Sequence, residues 1–458
     1  MNVSLNLCES CLEKQRIIDR LKQENEDLRK RMRRLERKAE QGPFGSSTPS
    51  AKVPVKANTT GERRSKPGGA KPGHTGHGRK AVQDSGAERI ETIPVGPACP
   101  HCGGTLEHKE YRDRSVIDSQ PLRAEPILYQ LERARCPRCG KTLQARAPEV
   151  LPKSLYGNQL ITQVVFLHYR QGIPMGRLCD QLGIGLGAVF EILHRMAALF
   201  RGVLPKLIGQ YRQAAVRHAD ETGWRTDGRS GYAWLFASAT VSLFLFRTTR
   251  SAQVPKEVLG AQALGGVLVV DRYNAYNRSP CALQYCYAHL LRDVEDLAKE
   301  FPGEAEVTVF TSTLIPLLAE AMHLRGRPLS EADYYEQAGT LKQQIVDLVD
   351  KPAQHLGVRQ VQGIFRDNAH RLYHWVENRA APADNNRAER ELRPTVIARK
   401  VSFGSQSDAG AKTREVLMSV VHTLVKPISD PEAHFKSVLD RLAIDPTHDP
   451  VALLFDTS

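Results

Sequence analysis

The stretch that decides the fold is Gly266-Val267-Leu268-Val269-Val270-Asp271-Arg272-Tyr273-Asn274-Ala275-Tyr276. Its aliphatic and β-branched run, opened by Gly265 and Gly266, predicts a strand that is buried on both faces. The run ends on Asp271, and α/β folds place their chemistry at the carboxyl ends of such strands. Asp271 is therefore a candidate site residue, although a single aspartate at this position more often caps the following turn.

A second acid stands in similar surroundings. Residues 214–224 (AAVRHADETGW) are strand-like and carry Asp220 in their middle. Residues 231–240 and 241–249 follow with aromatic and β-branched composition, which predicts two further strands of a meander. Two acids from neighbouring strands, with a third from later in the chain, are what a two-metal phosphodiester site needs.

Length, charge and cysteine usage narrow the class of protein. The chain has 458 residues, enough for two or three domains, and a net charge of +13 that favours DNA as a partner. It has no run of eighteen apolar residues and no signal-peptide pattern, so we expect a cytoplasmic, nucleoid-associated protein without a membrane partner. Nine cysteines, mostly in C-x-x-C pairs, indicate zinc rather than disulfides.

Residues 1–41 carry a heptad pattern with charged flanks. The pattern predicts a parallel coiled coil that makes a homodimer or a higher oligomer, and Asn25 in the seam favours two strands. A single amphipathic helix packed on its own protein is the alternative. Cys8 and Cys11 precede the heptads. They are either free thiols or, in a dimer, half of a four-thiolate zinc site.

Residues 42–97 are poor in large apolar side chains and rich in Pro, Gly, Ser and Lys, which predicts a flexible linker. Its centre has four basic residues and no acid, so it can lie along a phosphate backbone or enter a minor groove. These candidate DNA contacts are Lys66, Lys71, Arg79 and Lys80. A plain solubilising linker is the alternative.

Residues 98–150 contain the most specific local pattern, a pair of C-P-x-C-G turns. Two such turns supply four thiolates for a tetrahedral structural Zn²⁺, and a redox-active pair is not expected. The predicted ligands are Cys99, Cys102, Cys136 and Cys139. Residues 127–131 alternate in polarity between the turns and suit a hairpin strand, so this region predicts a zinc ribbon.

Residues 151–205 are predicted to be helical. Pro174 opens a short helix, a glycine turn follows, and residues 188–200 form a longer helix. This is the outline of a helix-turn-helix DNA-binding region, with Arg195 as its candidate DNA contact. A purely structural helical connector is the alternative.

Beyond Asp271, residues 283–286 predict another strand that runs into a helix near His289. Cys286 and His289 have ligand-like spacing, but we interpret them first as packing and orienting residues. Residues 289–380 repeat apolar side chains at helical spacing, which predicts a helical insertion.

A third acid, Glu389, lies in residues 381–445. Asp384 or Asn385 is positioned to cap a helix that carries Glu389 one turn in. An ion pair between Glu389 and Arg393 at i+4 is the ordinary alternative to a site role. Residues 446–458 form a tail without an informative pattern.

In the order of its motifs the chain resembles bacterial DDE transposases of the insertion sequence 66 family. The resemblance covers nearly the whole chain. It rests on KPGG-x-KPGH-x-GH, the C-P-x-C-G pair, HADETGW, VVDRYNAY, C-x-x-H-L-L-R-D and DNN-x-AER-x-LRP-x-x-x-x-RK. One departure is residues 401–405 (VSFGS), where family members often carry an aromatic-rich segment.

The resemblance implies an α/β fold: an RNase H-like mixed-sheet catalytic core, divided into residues 206–288 and 381–445 by the helical insertion. It implies that Asp220, Asp271 and Glu389 hold two Mg²⁺ or Mn²⁺ ions for cleavage at the ends of an insertion sequence and for strand transfer. Further candidate phosphate contacts are Arg390, Arg393, Arg399, Lys400 and Lys412. Relatives are typically encoded beside two small accessory proteins. The alternatives are another RNase H-like nuclease and a DNA-binding regulator with an inactive core.

Overall fold

The computed structural model describes residues 17–18, 21–22, 25, 29, 122–135, 137, 139 and 142–455. The chain divides into two compact units. One consists of residues 55–123 and the other of residues 1–54 and 124–458, and only the larger unit is described below. Most of the predicted coiled coil, the whole basic linker, Cys99, Cys102 and Cys136 lie outside the described residues. The six described residues between 17 and 29 are helical, and their pairing in a coiled coil stays a prediction.

A five-stranded mixed sheet forms the centre of the unit, with the strand order β5-β4-β3-β6-β7. The strands β3, β4 and β5 form an antiparallel meander, whereas β6 and β7 run parallel to β3. The strands of the described residues are β1 (Arg133–Arg135), β2 (Thr142–Gln144), β3 (Val216–Thr226), β4 (Arg229–Ala237), β5 (Ser242–Arg247), β6 (Val267–Val270) and β7 (Ala282–Tyr285). The mixed α/β class expected from the sequence is confirmed, and it is consistent with an RNase H-like core.

Helices surround this sheet and also fill the interval between β7 and the segment with the third acid. They are α1 (Asn158–Tyr169), α2 (Met175–Leu182), α3 (Leu186–Leu199), α4 (Val203–Gln213), α5 (Gln253–Leu259), α6 (Tyr287–Glu300), α7 (Ala305–Leu324), α8 (Glu331–Val349), α9 (Leu356–Asp367), α10 (His374–Glu377), α11 (Asn386–Ser402), α12 (Asp408–Leu424), α13 (Pro431–Ile444) and α14 (Pro450–Phe455). Short 3-10 turns cover Asn274–Tyr276 and Ala369–Arg371.

The strand β6 is buried on both faces, as its aliphatic run predicts, since all four of its residues are inaccessible to solvent. It enters the sheet through Gly266, which has a φ of +76°. A Cβ atom on Gly266 would lie 2.2 Å from the carbonyl oxygen of Ala215. The same oxygen accepts the hydrogen bond from the Val267 N–H at 2.9 Å, so the close approach at Gly266 brings β6 beside β3.

The helices α2 and α3 meet at 111°, and Gly183 between them has a left-handed φ of +69°. This is the geometry of a helix-turn-helix, as the sequence predicts. The guanidinium of Arg195 donates to the carbonyl oxygens of Pro152 and Lys153. These bonds assign Arg195 a structural contact that the sequence did not reveal, and its role in DNA binding stays a prediction.

The strands β1 and β2 pair antiparallel on either side of the second C-P-x-C-G turn, where Cys139 is exposed. The hairpin expected of a zinc ribbon is therefore present at this turn, and the zinc itself stays a prediction. The strand predicted over residues 127–131 is wrong, because these residues have no strand conformation. Ile127 is 63% exposed and Leu128 is 87% exposed. An alternating segment gains little as a strand when neither face is covered.

The helices α6 to α10 occupy the predicted helical insertion. Among the described residues, α7 is the one single helix long and apolar enough to cross a membrane. However, the side chains of Val307, Leu314 and Leu318 are fully buried within the protein. A core helix meets the same criteria, so nothing about a membrane follows from α7.

Gly266 generates a first prediction. Gly266→Ala forces a left-handed φ and a contact with the Ala215 carbonyl group, so it should destabilise the protein by about 2 kcal/mol or more. Gly265→Ala is the matched control, since a Cβ at Gly265 meets no atom within 4 Å. Thermal or urea unfolding of both variants measures the difference. Equal stability of the two variants would contradict this account of how β6 enters the sheet.

Candidate active site

The three predicted acids lie on three elements that meet at the centre of the sheet. Asp220 is in the middle of β3, and Asp271 directly follows β6, which pairs with β3 in parallel. Glu389 is in the first turn of α11, which packs on β3 and β4. The structure thus brings together side chains that are far apart in the sequence.

Burial and the charges of neighbouring acids act together on Asp220. Burial raises the pKa of Asp220 well above its ordinary value. The negative charges of Glu221, Asp271 and Glu389 raise that pKa further, while a hydrogen bond from the Glu221 N–H lowers it. Negative charge in this site is therefore incompletely compensated by the protein, as expected where cations bind.

Asp271 is held in a fixed orientation by its own turn. Its Oδ1 atom accepts a hydrogen bond from the Tyr273 N–H at 3.0 Å, which is the turn-capping contact expected of such an aspartate. Burial raises the pKa of Asp271, and the Tyr273 N–H, Arg250 and Arg272 oppose that rise. The capping role and the site role are therefore compatible, because only one carboxylate oxygen is used by the turn.

Glu389 contacts α6 rather than its own helix. Arg292 places one guanidinium nitrogen 3.3 Å from Oε1 and 3.5 Å from Oε2 of Glu389. His289 lies 3.9 Å from Oε1 through its Nδ1 atom. The alternative predicted from the sequence was an ion pair between Glu389 and Arg393 at i+4. The pair that forms is instead with Arg292 on the neighbouring helix.

Asn385 precedes α11, as predicted, but its side chain does not cap the helix. Its Nδ2 group donates to the Ala219 carbonyl oxygen at 2.8 Å, and its Oδ1 atom lies 2.9 Å from Nδ1 of His218. Burial lowers the pKa of His218 to about 4, so its neutral ring donates to Asn385. The Asn385 N–H donates to Sγ of Cys286 at 3.1 Å. The other predicted cap, Asp384, takes the capping role, since its Oδ1 atom accepts a hydrogen bond at 2.9 Å from the Asn386 N–H at the start of α11.

Glu221 is a fourth acid that the sequence reading missed. It is 1% exposed, and Arg250 donates to its Oε1 atom from Nε at 2.8 Å. The Tyr276 hydroxyl donates to Oε2. Burial and the charge of Asp271 raise the pKa of Glu221, and these two donors lower it. The adjacent acids of HADETGW were a sequence signal for a further acid beside Asp220. The arginine that neutralises Glu221 was not evident from this motif, because Arg250 lies in the loop after β5.

Two kinds of metal ligand occur at this site. Asp220 and Asp271 offer the oxygen ligands that Mg²⁺ and Mn²⁺ prefer. In the described part of the chain, one group of at least three candidate ligands has its atoms within 4.8 Å of one another, and it consists of Cys286, His289 and Glu389. The ligand atoms of Asp220, Asp271 and Glu389 are thus farther apart than those of this group, and Glu389 belongs to both sets of ligands.

The predicted phosphate contacts of the last segment fall into two groups. Four side chains are exposed and available: Arg390, Arg393, Lys400 and Lys412. Arg399 is half-buried and donates to Thr222 Oγ1 at 3.1 Å and to the Gly223 carbonyl oxygen at 2.7 Å. Arg399 therefore ties α11 to β3, and its predicted phosphate contact would compete with these bonds.

Two relatives from Sinorhizobium fredii (strain NBRC 101917 / NGR234) are similar to this chain. One, described as "Uncharacterized protein y4hP", is 22% identical over 78% of this chain and 73% of its own length. The other, described as "Uncharacterized protein y4qI", is 25% identical with the same coverage of both chains.

Two family comparisons locate known sequence domains in the chain. A domain of unknown function (DUF6431) matches residues 99–174, which include all four predicted zinc ligands. The transposase IS66 family matches residues 153–413, which include Asp220, Asp271 and Glu389. Because this second match spans more than half of the sequence, the chain belongs to the IS66 transposase family.

Proposed function

We propose that this chain binds the ends of an insertion sequence and catalyses DNA cleavage and strand transfer with Asp220, Asp271 and Glu389. The observation that carries the proposal is where the three acids lie: Asp220 on β3, Asp271 at the end of the adjacent strand β6, and Glu389 at the start of α11, which packs on β3. Burial raises the pKa of Asp220, and the charges of Asp271 and Glu389 raise it further. Membership of a transposase family makes phosphodiester chemistry the natural use of such an acidic site.

The donor set fits divalent cations of the Mg²⁺ or Mn²⁺ type. The three acids supply oxygen atoms, and Asp271 keeps one oxygen free of its turn. When bound, two such ions supply charge neutralisation at the attacking and leaving oxygens of the phosphodiester. Arg292 contacts Glu389 from α6 at 3.3 and 3.5 Å, and this loose contact leaves the third carboxylate available to a cation.

In the proposed reaction a water oxygen attacks phosphorus and the 3′ oxygen of the element's end leaves as a hydroxyl group. That 3′-hydroxyl then attacks the phosphorus of a target phosphodiester in the same site, its oxygen replaces the target's own 3′ oxygen, and the target strand is released with a 3′-hydroxyl group. Neither step needs a covalent bond between protein and DNA, so no serine or tyrosine is assigned as a nucleophile. The chain's own residues position the ions and the strands, and Asn385 fixes the helix that carries Glu389.

DNA recognition is proposed to involve several separate elements. The helix-turn-helix of α2 and α3 and the exposed Arg390, Arg393, Lys400 and Lys412 lie in the described residues. The basic arm, the zinc ribbon and the dimeric coiled coil are proposed from their sequence patterns. Small accessory proteins encoded nearby are proposed as additional partners.

Asp271→Asn tests the catalytic role directly. We expect cleavage and joining of labelled element ends in Mg²⁺ to fall at least about a thousandfold, because the variant loses a charged ligand. Binding of the same ends, measured by gel shift, should persist. The matched control is Asp227→Asn, which removes a carboxylate that is 62% exposed in the β3–β4 turn. Binding by wild type without any cleavage would instead favour a regulator or a missing accessory protein.

Asp220→Asn tests the electrostatic account. The raised pKa of Asp220 means that its charged form is disfavoured in the folded protein. Its stabilising contribution is present at acidic pH and is lost as the pH rises through the raised pKa. At neutral pH in EDTA, Asp220→Asn should therefore melt about 2 °C higher than wild type. Mg²⁺ should raise the melting temperature of wild type more than that of the variant; equal shifts would refute the account.

Asn385→Ala tests how Glu389 is positioned. The substitution leaves the buried Ala219 carbonyl group and the His218 ring without their partner, which should cost about 2–4 kcal/mol of stability. We expect the Mg²⁺ concentration for half-maximal cleavage to rise at least about tenfold, since Glu389 loses its fixed place. Asn368→Ala is the control, because Asn368 donates only within the insertion, to the Ile364 carbonyl oxygen. Loss of stability with an unchanged Mg²⁺ requirement would show a merely structural role.

A further inference from the structure

A thiol, an imidazole and a carboxylate meet where α6 and α11 begin. Cys286 is the N-cap residue of α6, and His289 follows in the first turn of that helix. Glu389 is in the first turn of α11. One ligand atom from each residue lies within 4.8 Å of the other two, and Nδ1 of His289 is 3.9 Å from Oε1 of Glu389.

We propose that Cys286, His289 and Glu389 form a Zn²⁺-type site, which shares Glu389 with the proposed Mg²⁺ site, and that a metal bound there withdraws Glu389 from catalysis. Sulfur, nitrogen and oxygen ligands select Zn²⁺ and similar ions over Mg²⁺, which favours oxygen alone. Three protein ligands leave a fourth tetrahedral position for water. Metal binding itself does not depend on the proposed function, whereas the inhibitory consequence rests on it.

The backbone around the three ligands is already fixed for such a site. The Asn385 N–H donates to Sγ of Cys286 at 3.1 Å, and the Tyr287 N–H donates to the Ala383 carbonyl oxygen at 2.9 Å. These two bonds hold the starts of the two helices together. A hydrogen bond to sulfur also stabilises a thiolate once a metal has displaced its proton to solvent.

The site is open to solvent at two of its three ligands, whereas the Cys286 thiol is fully buried. The side chains of His289 and Glu389 are 19% and 17% exposed, so an ion can reach them from solvent. The cation already beside Glu389 is Arg292, at 3.3 and 3.5 Å from the two oxygens. Tight charge-assisted bonds are shorter, at about 2.8 Å. The loose contact leaves Oε1 available to a metal without breaking a strong ion pair.

A Co²⁺ titration of the metal-stripped full chain tests binding, because thiolate-to-Co²⁺ charge transfer absorbs in the near ultraviolet. We expect Cys286→Ser and His289→Gln each to lose one absorbing site, or to bind Co²⁺ at least about tenfold more weakly than wild type. The predicted zinc ribbon would also bind Co²⁺ and absorb in wild type and in every variant. The site is therefore assigned from the difference between the titration of wild type and those of the ligand variants. Cys281→Ser is the matched control, since it removes a half-buried thiol from the loop before β7, outside the proposed catalytic and DNA-binding elements. Identical titrations of wild type and both ligand variants would overturn the site.

Zn²⁺ inhibition of Mg²⁺-dependent cleavage tests the consequence. Wild type and Cys281→Ser should be inhibited at low Zn²⁺, whereas the residual activity of His289→Gln should need at least about tenfold more Zn²⁺ for half inhibition. Equal inhibition of all three, with metal binding intact, would overturn the shared use of Glu389. Complete absence of cleavage by wild type would instead count against the proposed function and leave the Co²⁺ result standing.

Discussion

The bonds of one buried side chain, Asn385, hold the site together. Its amide group joins β3 at Ala219 and His218, next to Asp220, while its N–H group joins α11 to Cys286 at the start of α6. Three parts of the chain that are remote in sequence thereby meet within one hydrogen-bond network. Farther along the same helix, Arg399 ties α11 to β3 at Thr222 and Gly223. The position of Glu389 therefore depends on the bonds of Asn385 at the start of the helix and of Arg399 near its end.

The acids of the site differ in how far the protein neutralises their charge, and we infer that this difference favours metal binding. Glu221 has Arg250 and the Tyr276 hydroxyl as partners, so it is neutralised within the protein. The largest charges that act on Asp220 are those of Glu221, Asp271 and Glu389, and all three raise its pKa. A protein without metal therefore carries unfavourable repulsion at Asp220. Bound cations would relieve that repulsion, so the same feature that costs stability favours metal binding.

Much of this arrangement could be read from the sequence, and the failures have local causes. The strand β6 was predictable because a run buried on both faces is apolar throughout, and Asp271 stood out at its end. The partner of Glu389 was not predictable from the sequence. The i+4 spacing identifies partners only within one helix, and Arg292 comes from α6. Of the two predicted caps of α11, Asp384 accepts the hydrogen bond from the helix start, whereas the side chain of Asn385 bonds to β3. Contacts made across elements decide such positions, and no spacing within one segment reveals them.

The most direct test of the central claim is a crystal structure of the full chain with Mn²⁺, in which anomalous scattering locates the ions. The account predicts two Mn²⁺ ions held between the carboxylates of Asp220, Asp271 and Glu389, with Asn385 still bonded to Ala219. Mn²⁺ bound elsewhere in the protein, with these three acids free of metal, would contradict it. Such a result would leave the family membership intact and remove the proposed catalytic site.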